Sequence, residues 1–141
     1  MIPNSAARGG PVNRSRPVAL LVTHGVLGEE LVRTVAAILG PQSDVATVSN
    51  SGLSADALTR AIEERAGEFP PEAPIVLFTD LAAGSCGIAS RRAGVEGRIV
   101  RRITGVNLPM LLEFFHYRDT LSLDELLPRM EAKGKAGIVI L

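Results

Sequence analysis

With 141 residues and a mass of 14.9 kDa, the chain is long enough to bury about 70% of its extended surface as one domain and too short for two ordinary ones. Fifteen Lys and Arg balance fifteen Asp and Glu, 46% of residues are hydrophobic and the mean hydropathy is +0.24, which excludes wholesale disorder and a chain-wide basic field that would draw nucleic acid or anionic lipid. The one cysteine, Cys86, excludes an intramolecular disulfide and a multi-cysteine zinc site and points to a reducing compartment, so a cytoplasmic location is expected.

Met1 to Arg16 is rich in Gly, Pro, Asn, Ser and Arg and lacks the apolar stretch of a signal peptide; it reads as a flexible tail ahead of a single domain over 17–141. No apolar run approaches the ~20 residues that span a bilayer, so direct membrane insertion is not expected. Pro17 to Thr23 (PVALLVT) is a continuous apolar run ending in His24-Gly25, as a strand buried on both faces of a parallel sheet requires. Leu27, Leu31, Val35 and Ile38 then recur at helical spacing until Gly40-Pro41, predicting an amphipathic helix.

Asp44 to Ser49 alternates as a short strand, Asn50-Ser51-Gly52 reads as a turn, and Leu58, Ile62 and Ala66 line a second helix starting near Ser54. Pro74 to Thr79 (PIVLFT) is another fully apolar strand; it ends at Asp80 and leads through Ala82-Ala83-Gly84-Ser85 into a helix near Cys86 to Ala93. Arg98 to Thr104 predicts a more polar strand, and Leu108 to Tyr117 a helix with Pro109 near its start. Ser122 and Glu125 predict a capping box for one more helix, and Ile138 to Leu141 a terminal apolar strand. Strands alternating with helices predict an α/β fold: an open, mostly parallel, flavodoxin-like sheet of order 2-1-3-4 plus an antiparallel C-terminal strand, with helices on both faces.

In open α/β sheets ligands bind outside the carboxyl ends of the strands, where the winding reverses, here between strands one and three. The chain places Thr23-His24-Gly25 and Thr79-Asp80-Leu81 at those ends. Adjacent strands lie ~4.8 Å apart, so an imidazole and a carboxylate there can share a hydrogen bond. A carboxylate on one ring nitrogen fixes the tautomer and leaves the other nitrogen with an outward lone pair, which makes His24 the candidate nucleophile and Asp80 its orienter. The small-residue loop Ala82 to Gly87 enters a helix whose free N–H groups and dipole favour an anion, and Ser85 can donate a hydroxyl hydrogen. A histidine beside an anion cradle points to phosphoryl transfer.

These residues resemble the enzyme IIA component of the mannose/fructose/sorbose class of the bacterial phosphoenolpyruvate-dependent sugar phosphotransferase system. The resemblance covers Val18 to Leu141 and is carried by VTHGVLGEEL around His24, FTDLAAGSCGIASR around Asp80 and TGVNLPMLLE from Thr104 to Glu113, in the family's order and spacing. It implies that His24 takes a phosphoryl group from the phosphocarrier HPr and passes it to a IIB component that serves a IIC/IID permease. It also implies that Asp80 orients the histidine, that Ser85, with Gly84 and Gly25, contacts the phosphate, and that a homodimer forms through the last strand. No cofactor and no metal are implied. Where the family loop commonly reads Gly-Gly-Ser-Pro, this chain has Ala83-Gly84-Ser85-Cys86. A regulatory phosphocarrier without sugar transport and the phosphotransfer subunit of a dihydroxyacetone kinase are the alternatives.

Other residues have plainer readings. His116 sits at a predicted helix end, where the dipole accounts for it, and Cys86 reads as a small buried hydrophobe. Glycine serves turns and close packing as often as ligands, so Gly25 and Gly28 rank below Ser85. The cluster Arg91, Arg92, Arg98, Arg101 and Arg102 has no interleaved aromatics and reads as a solvated face, with docking of an acidic partner as the functional alternative. Ser85, His24 and Asp80 can be drawn as a hydrolase triad, but no G-x-S-x-G elbow precedes the serine.

Overall fold

The computed structural model describes residues 16–141; the tail expected over 1–16 lies outside the described residues apart from Arg16, whose guanidinium bonds Asp119 and Ser43 at 3.0 Å each. In chain order the elements are β1 (Val18–Thr23), α1 (Leu27–Leu39), β2 (Val45–Ser49), α2 (Ala55–Gly67), β3 (Ile75–Thr79), α3 (Gly84–Arg92), β4 (Val100–Thr104), α4 (Leu108–Tyr117) and α5 (Leu123–Ala136). The strands form one parallel sheet of order β2-β1-β3-β4. Every residue of β1 and β3 is buried, because helices cover both faces of the two central strands, which is why both read as unbroken apolar runs. The edge strands are less covered: β2 alternates, and β4 exposes Arg101 and Arg102.

The pleat divides the core in two. Val18, Leu20, Val22, Ile75 and Leu77 pack with Leu58, Ile62 and Ala66 of α2 and Cys86 and Ala89 of α3. Ala19, Leu21, Val76 and Phe78 pack on the other face with Val35 of α1, Leu111 and Phe114 of α4 and Leu126 and Met130 of α5. Phe78 and Phe114 meet edge to face at 5.4 Å, the geometry that aromatic quadrupoles favour. Ser54 and Asn107 cap α2 and α4 through side-chain bonds to the N–H groups of Ala57 and Met110, and Ser122 with Glu125 forms the expected capping box on α5, supplying acceptors for orphan N–H groups of each first turn.

Two expectations are not seen in the single chain, and one boundary is sharpened. Residues 138–141 form no strand: α5 ends at Ala136, Gly137 follows as its C-cap, and Ile138, Val139, Ile140 and Leu141 are 80%, 66%, 98% and 112% exposed. Of these four, Ile138 borders the groove between β4 and α5, and among the described residues the segment pairs with no strand. The arginine cluster is not one solvated face, since Arg98 binds the carbonyls of Pro70 and Ala73 at 2.7 and 3.0 Å, and Arg102 those of Ser90 and Ala93 at 2.7 and 3.1 Å. Both satisfy carbonyls at or just beyond the ends of α2 and α3. Finally, α3 begins at Gly84 rather than Cys86, which puts Ser85 in its first turn. No helix of the described residues is long and apolar enough to cross a membrane.

Candidate functional site

The two central strands deliver His24 and Asp80 side by side. In the β1–β3 register Val22 stands opposite Thr79, so Asp80 faces Thr23 and its side chain reaches one residue further along the rim. There Asp80 Oδ2 accepts the backbone N–H of His24 at 3.0 Å and lies 2.9 Å from Nδ1 of the ring, while Oδ1 lies 3.2 Å from Nδ1 and accepts the N–H of Leu81 at 3.0 Å. An ionised carboxylate can only accept. Nδ1 therefore carries the proton of the neutral ring, and Nε2 keeps its lone pair.

Burial alone would push the Asp80 carboxyl upward, but the hydrogen bonds from the His24 backbone and ring and from its own loop outweigh this, and its pKa lies below the ordinary value of 3.8. The carboxylate is 11% exposed while the imidazole is 41% exposed, so the anchor is covered and the ring opens to solvent.

The loop after β3 runs past the free nitrogen. Gly84 has φ +84°, and a Cβ built on it would lie 3.9 Å from both Nε2 and Cε1 of His24, so the backbone of the first α3 residue passes alongside Nε2. Ala83, the N-cap, offers no side-chain acceptor, which leaves first-turn N–H groups of α3 open to an anion. Ser85 adds its hydroxyl at the same end. The loop is set by Gly87, where a Cβ would stand 2.2 Å from the Ala82 carbonyl oxygen, and by Arg91, which bonds that same oxygen at 2.7 Å.

Gly25 is placed differently from the expectation. Its φ of +56° turns the chain out of β1, but its N–H donates to Asn50 Oδ1 at 3.1 Å and is not a free donor for phosphate. Gly28 is a packing position: its N–H bonds Thr23 Oγ1 at 2.8 Å, and a Cβ there would stand 2.9 Å from that oxygen. His116 lies on α4 beside Tyr117, with ring centroids 4.5 Å apart, away from the rim. Cys86 is fully buried; burial, and then the negative charge of Asp80, push its thiol upward against a hydrogen bond with Ser85. Its Sγ, a ring nitrogen of His24 and a carboxylate oxygen of Asp80 all lie within 4.8 Å of one another.

Asn50 is the site residue that sequence reasoning missed. Its N–H continues the ladder to the Thr23 carbonyl at 3.2 Å, Oδ1 holds Gly25, and Nδ2 reaches Ser85 Oγ at 3.5 Å. It links the ends of β1, β2 and α3. Its position at the carboxyl end of the strand next to β1 was the available signal.

A family model for the PTS system fructose IIA component, EIIA-man, matches residues 19–131. The PTS system mannose-specific EIIAB component of Escherichia coli K12 is 29% identical over 124 residues, covering 86% of this chain and 38% of that protein, and the protein of the same description from Shigella flexneri matches equally. The chain thus spans well under half the length of these relatives. Phosphotransferase system component EIIA from Streptococcus agalactiae has the same fold, with TM-score 0.79 at 23% identity over 88% of this chain and 96% of that one. The mannose/sorbose-specific IIA subunit from Enterococcus faecalis gives TM-score 0.68 at 25% identity over 89% and 95%. A sigma-54 interaction domain protein from Enterococcus faecalis shares the fold too, with TM-score 0.71 at 14% identity over 88% and 94%, so fold alone does not fix the role. The match across most of the chain shows that it belongs to the EIIA-man family of phosphotransferase-system IIA components.

Proposed function

We propose that the protein is a phosphocarrier in which Nε2 of His24 accepts a phosphoryl group from phospho-HPr and hands it to a IIB component, in the cytoplasm. The observation that carries this reading is the division of labour on one ring: Nδ1 is held by Asp80 at 2.9 Å, and the opposite nitrogen faces the Gly84 backbone. In the forward step the Nε2 lone pair attacks phosphorus, the N–P bond of the donor breaks, and its electron pair leaves with the donor imidazole. The His24 ring gains positive charge as the bond forms, and the Asp80 carboxylate offsets it through the Nδ1 proton. The Ser85 hydroxyl and the first-turn N–H groups at Gly84 and Ser85 bind the transferred oxygens, while Gly25 serves as the turn that presents the ring. Transfer to the acceptor reverses these steps.

Partner docking has a surface to use. Val26, Leu27, Leu53, Leu81 and Ile88 are between 41% and 64% exposed, and they lie on the loops and helix starts that leave the strand ends around His24. Apolar side chains gathered at a rim mark an interaction face; HPr and the IIB component would dock there in turn. The exposed segment 138–141 supports a homodimer in which each copy lays its last residues along the free edge of β4 in the other. From IIB the phosphoryl group would pass to the sugar that enters through a IIC/IID permease.

The test is uptake of label from phosphoenolpyruvate through enzyme I and HPr. Wild type should gain acid-labile phosphate, and His24→Ala should gain none while keeping its circular dichroism spectrum. Label on the alanine variant would refute the assignment.

A further inference from the structure

We propose that His24, Asp80 and Cys86 form a site for a soft divalent cation, zinc or cadmium, whose binding blocks the ring as a phosphoryl acceptor. The sequence alone implied no metal; the donor set gathered by the fold argues otherwise. Three different ligand types, an imidazole nitrogen, a carboxylate oxygen and a thiol sulfur, lie within 4.8 Å of one another. A mixed N/O/S set selects zinc-like ions over magnesium or calcium, which want oxygen alone.

The distances are close to what such an ion needs. Bonds of about 2.0–2.3 Å at tetrahedral angles put nitrogen and oxygen ligands about 3.3 Å apart and sulfur about 3.6 Å from either. Nδ1 and Asp80 Oδ2 are already 2.9 Å apart, so that pair opens by only a few tenths of an ångström. From within 4.8 Å, Sγ and the ring have to close by about 1.2 Å at most, a movement that the half-exposed imidazole can share with the Cys86 side chain. The imidazole is 41% exposed, giving an entry path and a water for the fourth position.

The chemistry then follows from the proton count. Nδ1 is the nitrogen on the carboxylate side, so a cation between ring and carboxylate takes the Nδ1 lone pair and the single proton of the neutral ring moves to Nε2. Nε2 then has no lone pair to attack phosphorus. The thiol binds as thiolate, so one proton leaves to solvent for each cation bound. The cation thus disables the acceptor without sitting on it. The block on transfer rests on the phosphoacceptor reading above, whereas cation binding does not.

Cadmium titration of the protein, with no phosphoryl donor present, tests the site. Cys86 is the chain's one thiol, so the ultraviolet thiolate–cadmium band reports it alone. The expected result is a band that saturates at one equivalent, with release of one proton measured in buffers of different ionisation heat. The band should vanish in Cys86→Ala, and affinity should fall at least about tenfold in His24→Ala and in Asp80→Asn, each checked for native circular dichroism. In the labelling assay zinc should slow wild type and leave Cys86→Ala at its own zinc-free rate. No band in wild type, or a band indifferent to both His24→Ala and Asp80→Asn, would overturn the proposal. A band that depends on all three side chains in a protein that never takes label would uphold the cation site and overturn the phosphoacceptor role instead.

Discussion

The rim of β1 and β3 and the outer edge of β4 are two ends of one sheet in opposite states. At the rim, both oxygens of Asp80 are engaged by backbone N–H groups and by Nδ1, and Asn50 ties Gly25 to the start of α3. At the edge, β4 has no outer partner among the described residues, and the last four residues hold their apolar side chains out of any core. A hydrogen-bonded constellation complete within one chain can be an active centre by itself. An unpaired strand beside an exposed apolar segment is a surface awaiting a partner. The contrast predicts that changes at the rim alter chemistry, and changes at the edge alter assembly.

Among substitutions that leave the His24 ring in place, the largest expected effect is from Asp80→Asn. Oδ2 accepts from the His24 backbone and Oδ1 from Leu81, so an amide, with one oxygen, must turn its NH2 toward one of those donors or toward Nδ1. A donor at Nδ1 favours the tautomer protonated on Nε2, the wrong one for attack. Labelling should slow by about 10²–10⁴-fold, in the range found when an orienting carboxylate is lost from a nucleophile–histidine pair, with the folded spectrum retained. A rate within threefold of wild type would show that the carboxylate does not set the tautomer.

Gly87→Ala should come next. Its Cβ has nowhere to go against the Ala82 carbonyl at 2.2 Å, so the loop must shift by about an ångström or more. We expect a loss of ~1–3 kcal/mol in a denaturant titration and a roughly tenfold slower labelling as the donors move off the ring. Unchanged stability would show that the loop is free to slide over α3. Ile140→Asp tests the edge: if the proposed homodimer forms through 138–141, sedimentation should shift from dimer to monomer as a charge enters the apolar contact, while labelling should stay within about twofold, because the bonds that hold His24, Asp80 and Ser85 involve none of residues 138–141. A dimer that survives would assign the subunit contact to another face.

What could be read before any coordinates follows the same division. β1 and β3 were legible because burial on both faces leaves PVALLVT and PIVLFT as unbroken apolar runs, and His24 and Asp80 were legible because they end those runs. Ser54 and the Ser122–Glu125 box declared their helices through local chemistry alone. Asn50 was hidden, since Asn-Ser-Gly is ordinary turn composition and its bonds to Gly25 and Ser85 cross 25 and 35 positions of chain. Arg98 and Arg102 looked like surface charge because the carbonyls they cap belong to other elements. The terminal segment read as a strand on pattern; pattern reports what a segment can pair with and is silent on whether its own chain supplies the mate.

The smallest effect is on stability at low pH, and it distinguishes the rim from the edge once more. Asp80 has a folded pKa below its ordinary 3.8. A carboxyl depressed by folding binds fewer protons in the native than in the unfolded state, so its contribution is complete above about 3.8 and disappears as pH falls through the lower folded value. Wild type should therefore lose stability relative to Asp80→Asn as the pH falls below about 4, because the amide has no proton to take up. Ile140→Asp adds a carboxyl at a position that is 98% exposed in the single chain, so at protein concentrations where wild type is monomeric its curve should run parallel to that of wild type through the same interval. If the Asp80→Asn and wild-type curves also ran parallel there, the bonds to His24 and Leu81 would hold the carboxyl no better when ionised than when protonated. The preference for the Nδ1–H tautomer would then need another source.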